Sequence, residues 1–211
     1  DPARSATADT HLVASLAGAI KLSSEETGPH LVRVARYAAV LAAGRADTGW
    51  TLEVLRFAAM LHDVGKLGVP DRVLLKPGPL SPDETVLARL HAEVGYTLLA
   101  GSRSPVTDLG ASIALTHHER WDGTGYPRGL RGDAIPLEGR LVAVADVFDA
   151  LTCTRVYRAA MSPEDALAVI AGERARHFDP EIVDAFVERF DELLAVKAVW
   201  PDPEPARPNP A

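Results

Sequence analysis

The sequence has little of several features that mark whole classes of proteins. It contains one cysteine in 211 residues, so it can form no internal disulfide and fits a reducing compartment such as the cytoplasm. No run of about 18 apolar residues occurs, so no transmembrane helix is predicted. Its 22 basic residues are outnumbered by 29 acidic ones, and a formal net charge of −7 argues against a protein that binds DNA or RNA broadly.

What is present is typical of a globular domain. Apolar residues make up 47% and charged residues 24% of the chain. We assign residues 1–200 to one domain and residues 201–211, which carry five prolines, to a disordered or polyproline-like tail. The chain begins with Asp1-Pro2 rather than methionine, so we expect a longer protein whose other part holds a sensor, a receiver domain or a membrane anchor.

Spacing of apolar residues predicts helices over 8–24, 29–44 and 51–63. Ser81-Pro82-Asp83-Glu84 combines an N-cap serine, a proline at the first helical position and a capping-box glutamate, so a helix should run from there to about Ala100.

Further helices are expected after the similar openings at Ser162 and Asp179, from a cap at Asp108 to about Glu119, and over Leu137 to Leu151. No stretch alternates apolar and polar residues as a half-exposed strand does. The predicted fold is therefore all-α, with about seven or eight helices.

Two glycine- and proline-rich stretches are predicted to lie outside the helices. Residues 67–80 should form an extended connection. Residues 120–135 form a long loop, but Trp121, Tyr126 and Leu130 favour an ordered, packed loop, and a loop of this length is commonly functional.

The histidines are the main candidates for metal ligands in this chain. Five of the seven are candidates for a common site: His30, His62, His91, His117 and His118. His62 adjoins Asp63, and His117 adjoins His118. Adjacent side chains on a helix point about 100° apart, so both members of a pair serve one site only if it holds several ions, or if Asp63 bridges two. Imidazole with carboxylate suits divalent transition metals, and the pattern predicts a polynuclear centre.

Two more acids complete this candidate set. Asp146 lies in a run of apolar residues, where a carboxylate is costly unless it is paired or metal-bound. Glu26 precedes His30 by four residues and would share its helix face.

Taken singly, each candidate has an ordinary alternative. His91 alone is more often a hydrogen-bonded core histidine, Asp146 could pair with a basic side chain, and Glu26 could be a solvated acid for which Glu25 is an equal substitute. We assign His11 and His177 to structural or surface roles.

Three segments together resemble the HD-GYP family of metal-dependent phosphohydrolases. They are His62-Asp63-Val64-Gly65-Lys66, then His117-His118-Glu119-Arg120-Trp121-Asp122-Gly123-Thr124-Gly125-Tyr126-Pro127, and Asp146-Val147-Phe148-Asp149-Ala150-Leu151-Thr152. The resemblance covers roughly residues 20 to 190. It implies an all-helical HD domain with an ordered GYP loop, and hydrolysis of the bacterial second messenger cyclic di-GMP to pGpG or GMP.

The resemblance also implies roles for particular residues. The implied metal ligands are Glu26, His30, His62, Asp63, His91, His117, His118 and Asp146. Lys66 matches the catalytic lysine, with Asp63 beside it, and Arg155 and Arg158 match cations near the substrate phosphate. Gly125, Tyr126 and Pro127 match the loop that shapes the substrate site and that binds diguanylate cyclase domains in the family. We therefore expect two or three divalent ions, iron or manganese; Glu26 is the residue linked to the third.

The chemistry of a phosphodiester agrees with this set. The substrate is anionic, and paired metal ions neutralise its charge and lower the pKa of water towards neutrality. For Lys66 the alternative is a structural salt bridge to Asp63 or Asp71. Trp121 and Tyr126 would either stack on guanine or pack to hold the loop.

Two rival functions stay open. One is hydrolysis of another nucleotide, such as a hybrid cyclic dinucleotide, and the other is a weakly catalytic module that binds a cyclase through its loop. The oligomeric state, including a homodimer, is open as well.

Overall fold

The computed structural model describes residues 13–16, 18–19, 28–45, 48–102, 104–154 and 160–201. Three predicted site residues, Glu26, Arg155 and Arg158, lie outside the described residues, and so does the tail beyond Pro201. In the described part of the N-terminal stretch, residues 13–16 and 18–19 are helical, as predicted.

From Gly28 onwards, the described residues form ten α-helices. Their bounds are α1 (Gly28–Ala42), α2 (Leu52–Ala59), α3 (Asp71–Leu74), α4 (Pro82–Arg89), α5 (His91–Leu99), α6 (Pro105–Thr116), α7 (Leu137–Thr152), α8 (Pro163–Gly172), α9 (Pro180–Glu188) and α10 (Phe190–Val199). Two 3₁₀ helices cover Val64–Gly68 and Gly132–Ala134. Apart from an isolated bridge between Arg174 and Phe178, this part of the chain contains no strand pairing. The all-α prediction is confirmed.

The number of helices exceeds the prediction of about seven or eight for two local reasons. The helix predicted from Ser81 to Ala100 is interrupted at Leu90, which separates α4 from α5. The stretch 67–80, predicted to be extended, contains α3 and the end of a 3₁₀ helix. Pro70 precedes α3 and Pro77-Gly78 follows it, so α3 is a single turn, and from the sequence these flanking residues predict extended chain.

The start of α6 is also corrected. Asp108 does not cap it, because Ser104 precedes Pro105 and its side chain accepts a hydrogen bond from Val106 N. The capping box at Ser81 and Glu84 is present as predicted. The predicted helix over 51–63 ends at Ala59, so His62 and Asp63 lie in the turn that leads into the first 3₁₀ helix.

The core lies between α1 and α7, with α2 and α6 on one side and α8, α9 and α10 on the other. Tyr37, Phe148 and Phe186 are fully buried there. The ring centroid of Phe148 lies 5.1 Å from that of Tyr37 and 5.1 Å from that of Phe186. This packing fixes α1 and α7 side by side, which brings His30 and Asp146 to the same end of the core.

Gly65 fixes a second close approach, between the first 3₁₀ helix and α5. A Cβ atom on Gly65 would lie 1.8 Å from His91 O and 2.4 Å from Gly95 N, so no side chain fits. The turn that carries His62 and Asp63 is therefore held directly against the start of α5, which carries His91.

We predict that Gly65→Ala destabilises the fold, because either the 3₁₀ helix or α5 must move. The expected loss in the free energy of unfolding is about 2 kcal/mol or more, the range for overpacking a dense site. Chemical denaturation measures it. Gly172→Ala at the end of α8 is the control, since nothing lies within 4 Å of its Cβ position, and it should leave stability unchanged or slightly raised. Equal stability of the two variants would contradict the tight contact at Gly65.

Candidate metal centre

Seven of the eight predicted ligands meet in one place. Their ligand atoms form two groups, Asp63 with His91, His117 and His118, and His30 with His62 and Asp146, and within each group all atoms lie within 4.8 Å of one another. The eighth, Glu26, is outside the described residues.

Asp63 connects the two groups. Its Oδ1 lies 3.3 Å from His91 Nε2 and 3.7 Å from His117 Nε2, whereas its Oδ2 lies 3.3 Å from His62 Nε2. Asp146 closes the other group, with its Oδ1 3.7 Å from His30 Nε2 and 4.0 Å from His62 Nε2. Each oxygen of Asp63 thus faces a different set of imidazoles, which is the arrangement of a bridging carboxylate.

Hydrogen bonds behind the rings set the tautomers of four histidines. Nδ1 of His62 lies 2.9 Å from Ala59 O, and Nδ1 of His91 lies 2.7 Å from Ala88 O. Nδ1 of His117 approaches Ile113 O at 3.0 Å, and Nδ1 of His30 approaches Asp149 Oδ2 at 2.8 Å. Because these oxygens are acceptors, each Nδ1 carries the proton, and each Nε2 is left as a lone pair directed into the cluster.

Burial keeps the rings of His91 and His118 neutral. It lowers the pKa of His91 from 6.5 to about 4, against the opposing charge of Asp63 and with a further contribution from His117. The pKa of His118 is lowered well below its usual value by burial and by the neighbouring His117 and His91. For Asp63, burial raises the pKa, but the nearby Lys66 ammonium, together with interactions with His62 and His117, outweighs it and holds the pKa well below 3.8. Neutral imidazoles and an ionised carboxylate are the protonation states that bind a cation.

The residues present fit divalent cations. Nε2 of His91 and Nε2 of His117 are buried, and neither has a hydrogen-bond partner among the described residues. Buried polar atoms are seldom left so, and here they converge on one carboxylate. The donor set of imidazole and carboxylate without thiolate suits iron, manganese or similar ions.

Lys66 lies at the edge of the cluster. Its Nζ is 2.6 Å from Asp63 Oδ2, and its side chain is 23% exposed. The salt bridge to Asp63 that was the alternative for this lysine is therefore present. This salt bridge leaves the Lys66 ammonium at the site, because its partner Asp63 is itself one of the acids in the cluster.

The GYP loop packs against the cluster through Tyr126. The Tyr126 ring stacks on His118 with centroids 4.7 Å apart and planes at 22°, and the Arg89 guanidinium carbon lies 4.7 Å from the Tyr126 centroid. The peptide bond from Tyr126 to Pro127 is cis. Gly125 allows the turn, since a Cβ there would lie 2.4 Å from Arg120 N.

Trp121 makes different contacts from Tyr126. Its backbone N donates to His177 O at 3.0 Å, and the Arg140 guanidinium carbon lies 5.7 Å from its ring. This favours the packing alternative for Trp121, in a part of the loop that contacts the His177 segment. His177 stacks on Phe178 and thus has the structural role expected of it.

Sequence reasoning missed three residues around the site. Glu119 is 2% exposed and accepts from Arg128 N at 2.8 Å and from Leu130 N at 3.0 Å, so it holds the loop from behind. Asp149 and Arg33, each 1% exposed, form a pair behind His30. Asp149 follows Asp146 by three residues in the same apolar run, and the same argument that singled out Asp146 could have found it.

The fold and the cluster together define a class: a helical domain with a cluster of histidines and carboxylates that could bind metal. The chain belongs to the HD domain family, whose model matches residues 14–182. The predicted family is confirmed, since its curated relatives include proteins named cyclic di-GMP phosphodiesterases.

Two relatives from Vibrio cholerae serotype O1 illustrate the range of names. One, a "probable cyclic di-GMP phosphodiesterase", is 43% identical over 92% of this chain and 47% of its own length. Another, "3'3'-cGAMP-specific phosphodiesterase 2", is 42% identical over 90% of this chain and 37% of its own length. The chain thus spans about half or less of the length of these relatives.

A crystal structure of a cyclic GMP-AMP specific phosphodiesterase of V. cholerae has the same fold. Its TM-score is 0.61 at 21% identity, over 87% of this chain and 49% of that chain. In the part of the chain that the structure describes, no helix is both long and apolar enough to cross a membrane.

We predict that Glu119→Gln loosens the GYP loop. An amide places an NH₂ group against one of the two backbone N–H groups, so one charge-assisted bond is lost, worth about 1.5–3 kcal/mol. The amides of Arg128 and Leu130 should exchange their hydrogens about 10 to 100 times faster. Glu138→Gln is the control, because Glu138 accepts from Ser112 at 2.6 Å on another part of the fold. Unchanged exchange at both amides would show that Glu119 does not hold the loop.

Proposed function

We propose that this chain is a metal-dependent phosphodiesterase that hydrolyses cyclic di-GMP to pGpG, GMP or both. The observation that carries the proposal is the cluster of seven imidazole and carboxylate side chains, in which Asp63 joins the two groups. The names of the curated relatives at 40–46% identity support the substrate class.

The proposed cofactors are two or three divalent ions, iron or manganese. His30, His62 and Asp146 would hold one, and His91, His117 and His118 another, with Asp63 between them; Glu26 remains the proposed ligand for a third. Bound cations supply neutralisation of the phosphodiester charge and activation of water.

The other residues bind and orient the substrate. Lys66 presents an ammonium beside Asp63, where it can contact a phosphate oxygen or hold a proton for the leaving alkoxide. Arg155 and Arg158 remain the proposed phosphate contacts. Tyr126, together with Gly125 and Pro127, limits the space over His118, so the loop shapes the substrate site. Binding of a diguanylate cyclase domain by this loop, and control by a domain outside this sequence, are kept as proposals.

A second substrate is favoured by a specific observation. Three relatives at 35–42% identity are named 3'3'-cGAMP-specific phosphodiesterases, so the hybrid cyclic dinucleotide is the runner-up.

One anaerobic preparation tests both. Metal content is measured first, and equal amounts of cyclic di-GMP, 3'3'-cGAMP and cyclic di-AMP are then incubated with the same protein and their products separated. Preferred cleavage of cyclic di-GMP supports the proposal, and preferred cleavage of the hybrid favours the runner-up. Protein that holds two or more ions per chain and cuts none of the three would contradict the enzymatic proposal.

Lys66→Ala should lower turnover about 100- to 10,000-fold with metal content retained, because it removes a group that acts on the substrate but leaves the converging ring nitrogens. His62→Ala should instead lower the metal content. Lys76→Ala is the matched control, since Nζ of Lys76 forms an equally close pair with Glu84 at the start of α4 and should leave turnover unchanged. Full turnover in Lys66→Ala would remove this lysine from the mechanism.

A further inference from the structure

Behind the cluster, His30 differs from three of the other histidines. Nδ1 of His62, His91 and His117 each donates to a main-chain carbonyl three or four residues earlier in the chain. Nδ1 of His30 donates instead to the side chain of Asp149, 119 residues away, at 2.8 Å. The orientation of His30 therefore depends on a second helix, α7, whereas the orientation of the other three rings is set locally.

Asp149 is a buried carboxylate that is held on both oxygens. Arg33 donates from Nε to Oδ1 at 2.5 Å and from Nη2 to Oδ2 at 2.9 Å, and both side chains are 1% exposed. Burial raises the pKa of Asp149, but the hydrogen bonds from Arg33 and His30 outweigh it, so its pKa lies well below 3.8. Asp149 is therefore an anion directly behind the imidazole.

Helix geometry explains why these residues meet. His30 and Arg33 are three apart on α1, and Asp146 and Asp149 are three apart on α7, so each pair shares a face of its helix. Asp146 faces the cluster, and Asp149, one turn further along α7, lies behind the His30 ring. The Arg33 guanidinium also contacts two groups besides Asp149. Its Nη1 donates to Trp200 O at 2.8 Å, and its Nη2 approaches Cys153 Sγ at 3.0 Å.

We infer that Asp149, anchored by Arg33, is a positioning residue that orients His30 and strengthens cation binding in the group of His30, His62 and Asp146. A carboxylate behind a metal-ligating imidazole fixes the ring and raises its basicity as a ligand, and loss of such a partner weakens metal binding about 10- to 100-fold. The group around His91, His117 and His118 has no such acid among the described residues, because carbonyl groups support His91 and His117. This inference rests on the proposed metal-binding function.

The test is a chelator titration with Mn²⁺ as the only metal, read as bound ions per chain by elemental analysis. Asp149→Asn removes the negative charge behind His30 and replaces the Oδ1 acceptor of Arg33 Nε by an NH₂ group, so one binding step should weaken about 10- to 100-fold while the others stay unchanged. Asp179→Asn is the matched control. It disrupts another ion pair of a buried aspartate, in which Arg140 Nη1 lies 2.6 Å from Asp179 Oδ2, and all binding steps should stay as in the wild type.

A second variant separates positioning from folding. Asp149→Asn leaves Arg33 buried without its carboxylate, which can destabilise the whole domain. The double variant Arg33→Met with Asp149→Leu removes both charges, so stability should recover while the same single step stays weakened.

The outcomes distinguish this inference from the proposed function. Wild-type protein with two or more ions and unchanged steps in both variants would overturn the role of Asp149 and leave the phosphodiesterase proposal intact. Equal weakening of every step would also overturn it, because the effect would then be general to the fold. Wild-type protein that binds no Mn²⁺ would overturn both.

Discussion

The structure of the site depends on one carboxylate, that of Asp63, which faces imidazoles on both sides. Three short stretches have to converge for this to happen: the turn after α2, the first residue of α5 and the last turn of α6. Gly65 permits the first two to touch, since no Cβ fits between it and the main chain of α5. The dense packing at Gly65 thus helps to set the geometry of the cluster. From the sequence alone Gly65 resembles an ordinary residue that ends a helix, but the close contact with α5 requires a glycine there.

Electrostatics and packing act together here. Two carboxylates and five histidines lie close to one another, and if the rings were protonated they would repel strongly. Burial disfavours the charged imidazoles, as the depressed pKa values of His91 and His118 indicate, and Lys66 keeps Asp63 ionised. The same burial that places His91 and His118 in the core therefore leaves these two rings in the state that accepts a cation.

Much of this arrangement could be predicted from the sequence. The helical fold followed from apolar periodicity and from caps such as Ser81, and the vicinal pairs at His62 and His117 indicated residues that the fold brings together. The break at Leu90 could not be predicted, because the apolar pattern continues through it and the interruption occurs where Gly65 packs against the start of α5. The partners of Glu119 and Asp149 could not be predicted either. A buried acid needs a partner, but the sequence does not show which residue supplies it.

The two halves of the cluster are supported by different kinds of interaction, and this difference has a consequence. Backbone carbonyls of the same turn hold the rings of His62, His91 and His117, so these rings keep their orientation as long as the local turn is formed. His30 is held by Asp149, which in turn needs Arg33, whose other end reaches Trp200 O at the end of α10. The orientation of one ring in the cluster thus depends on the packing of α1, α7 and α10 together. A displacement of α10 would therefore change the interactions that hold His30, whereas the carbonyl groups that hold His91 and His117 do not belong to α10.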